Sequence, residues 1–311
     1  MSFDYSTISL QDFANAFGVK IEDLPQRCVD AYNAVKIEFG HYVIDGEQRD
    51  RVILDVLNLI ENDTQKIGSP ERTKIWYTGW KENLDAFKAE KSITSLRPKY
   101  YRRMNIMRWK GDYIQPNSPD FELAYLDVFQ QWLFSYFEPY NNIYEFGCGS
   151  GINLCELATM YPEKNIYGSD FVSSSVELAN ELGKKYNNIV GFPFDMLKPD
   201  WSQEFPPHSA VLTSGALEQL ASNIEPFFDF LLAKKPELCI FAEPIIEVYD
   251  KDILLDALAI KFHRKRGYTE GILPWLHKKE QEGKVEVLKI QRQHIGSLFF
   301  EGWTIIIWKP L

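Results

Sequence analysis

The chain has 311 residues, 45% of them hydrophobic and 14% aromatic, which supplies a large core and excludes a disordered chain. Its 34 Lys and Arg stand against 44 Asp and Glu, a net charge of −10 that opposes a nucleic-acid backbone as partner unless positive charge is locally concentrated. The two dense basic groups, Lys99 to Arg108 and Lys261 to Arg266, are short and fit a solvated face or a small-anion site better than a nucleic-acid track. Cys28, Cys148, Cys155 and Cys239 form no C-x-x-C pair and have no histidine-rich neighbourhood, so no zinc site is expected. The start of the chain lacks a basic, apolar leader and no segment reaches membrane-spanning length, so the expectation is a cytoplasmic protein without a membrane partner.

The length suggests about two domains. Residues 1–96 read as an α-helical N-terminal domain. Leu24, Val29, Tyr32, Val35 and Phe39 fall at near-helical spacing, and Val52, Leu54, Val56, Leu57, Leu59 and Ile60 repeat the pattern. Ser69-Pro70-Glu71 reads as a cap with proline at the first helical position, leading through Trp76, Trp80, Leu84 and Phe87, aromatics that read as core. Residues 97–139 form a connector. Its first part mixes Tyr100, Tyr101, Arg102, Arg103, Trp109 and Tyr113 with Gly111, Pro116 and Pro119, and a strongly apolar helix over Asp120 to Phe137 closes it.

From residue 140 the pattern becomes strand, loop, helix. Asn142 to Phe146 reads as a strand ending near Glu145, and Gly147, Gly149 and Gly151 turn the chain into a helix from Ile152 to Met160. Alternate glycines admit left-handed backbone and leave room for a ligand against the main chain. The spacing is G-x-G-x-G, with Ile152 where a dinucleotide fold would place its third glycine, and a carboxylate before the loop suits an ammonium better than a pyrophosphate. A second strand ends at Asp170, nineteen residues past Gly151. A third ends at Asp195, a fourth runs from Ser209 to Thr213 and is followed by Ser214, and a fifth ends at Glu243, before a helix to Arg266 and two closing strands, Val285 to Ile290 and Trp303 to Trp308.

The Glu145-x-Gly147-x-Gly149-x-Gly151 run and the acid at the second strand tip resemble the first motifs of class I S-adenosylmethionine (SAM) dependent methyltransferases. The resemblance covers residues 97–311. It implies an α/β fold with a seven-stranded Rossmann-like sheet and a terminal reversed hairpin, residues 140–311 forming the SAM-binding domain. It also implies SAM as cofactor and S-adenosylhomocysteine (SAH) as product. Residues 97–119 would then act as a lid in which Arg103 pairs with the methionine carboxylate. Glu145, Gly147, Cys148, Gly149, Gly151 and Asn153 would cradle the amino-acid end. Asp170 would take the ribose hydroxyls, and Phe171 and Val172 would lie against the adenine face. Asp195 and the Met196 N–H would meet the adenine edge, with Asp195 as a plain capping residue the alternative, and Ser214 and Gln219 would line the region below the sulfonium.

An alcohol acceptor needs a base; candidates are Glu218, Glu243, His263 and His294, and similar sequences often have a histidine near the Gln219 position, which is missing here. The group from His263 to Arg266 could instead hold a substrate anion. Paired-acid and N/D-P-P-Y/F signatures are missing, which leaves a small-molecule acceptor, first a hydroxyl on a sugar, polyol or secondary metabolite. Self-association is left open. Two other readings stand beside this one: a non-catalytic methyltransferase-like scaffold whose helical first hundred residues are the working surface, and a nicotinamide-dependent oxidoreductase.

Overall fold

The computed structural model describes residues 5–98 and 105–311. β1 (Tyr5–Thr7) leads to α1 (Leu10–Phe17), whose start is closed by a capping box between Ser9 and Asp12. α2 (Gln26–Val35), β2 (Gly40–Ile44), α3 (Gly46–Glu61) and α4 (Pro70–Glu90) follow. Ser69 caps α4 by accepting the Arg72 N–H, with Pro70 in the first turn, as its sequence predicts. The region expected to be helical also carries two strands. Its apolar spacing stays near-helical through a 3-10 turn at Lys36–Phe39 and so hides the start of β2.

β3 (Met107–Trp109) and β4 (Asp112–Pro116) form a hairpin through Lys110 and Gly111, whose φ values of 51° and 86° belong to a type I′ turn. With β11 (Ile295–Gly296) these strands build a five-stranded antiparallel sheet in the order β1-β2-β4-β3-β11. α5 (Phe121–Ser135) follows, buried on most of its surface through Phe121, Tyr125, Phe129, Trp132 and Leu133.

The second sheet alternates with helices: β5 (Asn142–Phe146), α6 (Ile152–Met160), β6 (Asn165–Asp170), α7 (Ser173–Tyr186), β7 (Ile189–Pro193), β8 (Ser209–Ser214), α8 (Glu225–Lys234), β9 (Leu238–Glu243), α9 (Leu254–Arg266), α10 (Ile272–Gln281), β10 (Val285–Arg292) and β12 (Thr304–Pro310). Its order is β10-β12-β9-β8-β5-β6-β7; β5 to β9 run parallel, and β12 pairs antiparallel with both β9 and β10. The chain thus winds outward from β5 to β7, returns to the other side of β5 with β8, and leaves a switch point between them.

Both faces of this sheet are covered, which is why its strands read as continuous apolar runs. Along β5, Ile143 joins a cluster with Phe13, Phe17, Phe87, Trp132 and Leu154, while Tyr144 and Phe146 face Phe227, Phe241 and Trp308. The first cluster draws on residues from Ile8 to Ile307, so the N-terminal helices share one core with the sheet. Among the described residues no helix is long and apolar enough to cross a membrane.

Candidate active site

At the carboxyl end of β5 the glycine loop takes left-handed backbone, with φ of 76° at Gly147 and 52° at Gly149. A Cβ on Gly147 would stand 2.4 Å from the Ala216 Cβ, and one on Gly149 2.8 Å from the Trp80 ring, so neither position admits a side chain. The N–H groups of Gly147 and Cys148 both donate to the Ser169 carbonyl, at 2.8 and 2.9 Å. Asp170, 5% exposed, joins the β5 and β6 tips: Oδ2 accepts the Gly149 N–H at 3.0 Å and Oδ1 the Val172 N–H at 2.9 Å. The Cys148 thiol beside them is buried and pushed well above its ordinary pKa by that burial.

Glu145 is 2% exposed. Its Oε1 accepts from Asn153 Nδ2 at 2.7 Å, and Asn153 Oδ1 accepts from Gln130 Nε2 at 2.7 Å, a link from α5 that sequence reading missed. Oε2 is buried with no hydrogen-bond partner among the described residues. Burial pushes the Glu145 carboxyl up to about 8, against the Asn153 bond and with help from the Asp170 charge. A buried carboxylate oxygen left unbonded is costly, so this position asks for a donor, best a cation.

Across the switch point, β8 ends at the partly buried Ser214 and a loop leads into a short helical turn at Leu217–Leu220. Glu243, at the tip of β9, is fully buried, and its two oxygens accept the Ala216 and Leu217 N–H groups at 3.1 Å each. It holds the loop that carries Glu218. Burial pushes the Glu243 carboxyl up to about 8 and the Glu218 carboxyl up to about 7, the latter partly held down by Arg72. Gln219 Nε2 donates to Glu218 Oε1 at 2.6 Å, and Gln219 Oε1 accepts from Trp76 Nε1 at 3.1 Å and Arg72 Nε at 3.3 Å. Met196 packs against the glycine loop, its methyl 3.6 Å from where a Gly147 Cβ would stand. Asp195 Oδ1 accepts the Leu197 N–H at 2.9 Å in a local turn. Phe171 is half exposed and meets Tyr77 edge-on, whereas Val172 is fully buried.

Three expectations need correction, and a fourth lies outside the described residues. His263 is completely buried between Tyr249, Tyr268 and Phe300, with neither ring nitrogen bonded among the described residues, and burial lowers it to about 3. It does not join Glu218 and Glu243 as a base. Its neighbours do not wait for a substrate anion either: Arg266 forks onto Asp63 at 2.6 and 2.8 Å, and Lys265 bonds the Glu61 carbonyl. His294 faces Glu301 at 3.6 Å instead of the cleft. Arg103 lies outside the described residues. The described part of 97–119 is bound up in the β3–β4 hairpin of the five-stranded sheet, and among the described residues α4 lies on the glycine loop through Trp80. Its stripe of Arg72, Trp76 and Trp80 at intervals of four was visible in the sequence but continues into core residues Leu84 and Phe87, which disguised it.

The sheet order places the β5–β8 switch point under this loop, with β12 as the one reversed strand among seven. The fold is that of the class I methyltransferases. Among solved structures the chain is similar to a SAM-dependent methyltransferase from Aquifex aeolicus, at 14% identity over 58% of this chain and 88% of that one, TM-score 0.41. It is also similar to the magnesium protoporphyrin IX methyltransferase of Synechocystis PCC 6803 with bound SAH, at 16% identity over 60% and 83%, TM-score 0.40. A third is the 16S rRNA methylase ArmA, at 14% identity over 75% and 98%, TM-score 0.44. No protein-family model and no curated protein matches the sequence.

Proposed function

We propose that this chain is a SAM-dependent methyltransferase acting on a hydroxyl of a small-molecule acceptor, with Glu218 as general base. The observation that carries this is Glu145: a buried carboxylate, on the strand before a bare glycine loop, with one oxygen bonded to Asn153 and the other lacking a donor. The cofactor's ammonium would supply that donor. Asp170 supports the same reading, since it stands at the β6 tip beside the glycine loop with its oxygens accepting the Gly149 and Val172 N–H groups, the place from which a carboxylate reaches ribose hydroxyls. Met196 and Ser214 flank the loop on the β7 and β8 sides. When bound, SAM supplies an electrophilic methyl group on a sulfonium.

The protein's part is then alignment and proton removal, of which alignment can supply on the order of 7 to 11 kcal/mol. Glu218, with its carboxyl near 7, is ionised in a useful fraction at neutral pH and can take the acceptor's hydroxyl proton as the new C–O bond forms. Glu243 serves by fixing the loop through Ala216 and Leu217. A small acceptor is favoured over nucleic acid by the net charge of −10.

Calorimetry with SAH tests the binding half: saturable heat is expected, lost in Asp170→Asn, while heat with NADH instead of SAH would sink the reading. For the chemical half, kcat/KM with an identified acceptor should rise with pH through about 7 and then level, as Glu218 loses its proton. Glu218→Gln should lower kcat by about a hundredfold or more. A variant of unchanged turnover with SAM saturated would remove Glu218 from the chemistry.

A further inference from the structure

Among the described residues, Arg72 is a charged group at this edge to which neither the cofactor's binding nor the proton transfer assigns a contact. It is 7% exposed, and its guanidinium lies 4.7 Å over the Trp76 ring. Nε donates to Gln219 Oε1 and a terminal nitrogen to Tyr268 Oη, both at 3.3 Å, so both bonds go to neutral oxygens. The Glu218 oxygen that faces it stands at 3.8 Å, outside hydrogen-bond distance. Arg266 makes an instructive contrast. It reaches the same Tyr268 Oη at 3.2 Å, but its remaining donors fork onto Asp63 at close range. Arg266 is paired at close range with Asp63; Arg72 has Glu218 as a looser ion-pair partner at 3.8 Å, with no carboxylate in its hydrogen-bonding fork.

A guanidinium taken from water into such a site is only partly compensated by a carboxylate at 3.8 Å, and its planar fork suits a carboxylate or phosphate at hydrogen-bond distance. Its place on α4 says which anion. Trp80, which lies on Gly149, is eight residues further along the helix, so Arg72 stands about 12 Å beyond the glycine loop along the helix axis. It is over the loop after β8, beside Glu218, where the acceptor meets the transferred group, and away from the amino-acid end of the cofactor.

We propose that Arg72, seated on Trp76 and Tyr268, anchors an anionic group, a carboxylate or phosphate, on the acceptor molecule. The inference rests on the methyltransferase reading and narrows its acceptor to an acidic one. Trp76 supplies a rigid face for the guanidinium, and Tyr268, 4% exposed, fixes its in-plane rotation.

The test uses the full-length protein saturated with SAH and, as probes, acetate and inorganic phosphate against chloride at constant ionic strength. Melting temperature should rise with acetate if the group is a carboxylate and with phosphate if it is a phosphate. The rise should vanish in Arg72→Gln and partly return in Arg72→Lys, while SAH affinity stays within about twofold of the parent in both, far less than the loss of a charge-assisted bond. No rise with either probe, or an equal rise in Arg72→Gln, overturns the proposal. So does a tenfold loss of SAH affinity in Arg72→Gln with unchanged affinity for methylthioadenosine, which lacks the amino-acid carboxylate, because Arg72 would then serve the cofactor. A parent protein that binds no SAH fails earlier and refutes the methyltransferase reading itself.

Discussion

Glu145 shows how much a single residue can carry. Its carboxyl is pushed up to about 8 by burial, so the free protein holds a proton there at pH 7, and a cation on the orphaned Oε2 would favour the ionised form. Binding SAH should therefore release most of one proton at pH 7, measurable by calorimetry in buffers of different ionisation enthalpy, and Glu145→Gln should remove that release. The sign for stability follows from the same shift. A carboxyl raised in the folded state stabilises fully below its ordinary 4.5 and loses that contribution as pH rises through about 8, so without ligand the glutamine variant gains on the parent over that window. Proton uptake on binding, or none, would contradict an ammonium at this position. Glu145, Asp170 and the glycines were legible in the sequence because type and spacing survive without three-dimensional context. The Asn153–Gln130 relay and the Glu243 clamp were not, because each joins residues on different elements, and nothing local marks a glutamate as bonded to two distant N–H groups.

Elements were legible where period and caps agree, and their placement was not. Ser69 and Pro70 announce the start of α4, yet a stripe at intervals of four reads the same whether it meets a core or a site. The stripe does both: Leu84 and Phe87 enter the core while Trp80 and Arg72 lie over the loops after β5 and β8. α4 is fastened at its far end to α7 by Lys88–Glu177 and Lys91–Glu181, exposed pairs that are weak individually. Its near end is held by Trp76 and Arg72 on Gln219. Through Trp80 the helix thus lies over the glycine loop, the place expected for residues 97–119, of which 99–104 lie outside the described residues. Trp80→Ala should weaken SAH binding about tenfold, mostly through faster dissociation, with a melting temperature close to the parent's because the ring is only partly buried. Stopped-flow dissociation would check this; tighter binding would mean that the indole occupies the ligand's own seat.

At the scale of the molecule, the five-stranded sheet was illegible because its five strands, each of two to five residues, come from four separated stretches. What ties it to the main sheet is the passage from β10 to β12. Instead of a tight hairpin, the chain leaves after Arg292, lends β11 to β3, and returns. Gln293, fully buried, donates to the Ala16 carbonyl and accepts from Tyr125, while Trp303 stacks on Phe129 and Tyr125. Arg292 pins the exit. It bonds Asp256 on α9 at 2.6 and 2.9 Å and Glu301 at 2.5 and 2.9 Å, both carboxylates 4% exposed. Removing the cation would strand two buried charges, which typically costs about 3 to 5 kcal/mol, more than the pair adds over an apolar replacement of all partners. Arg292→Met should therefore lower urea stability by about that much at pH 7. Against the desolvation of burial, the hydrogen bonds of His294 and Arg292 hold the Glu301 carboxyl below its ordinary value, so its contribution is present above 4.5 and fades as pH falls through the depressed value. The gap between variant and parent should accordingly close in acid. A gap that stays constant with pH would show that Arg292 acts by packing its stem on Tyr249, over whose ring its guanidinium lies at 5.0 Å, and not by charge.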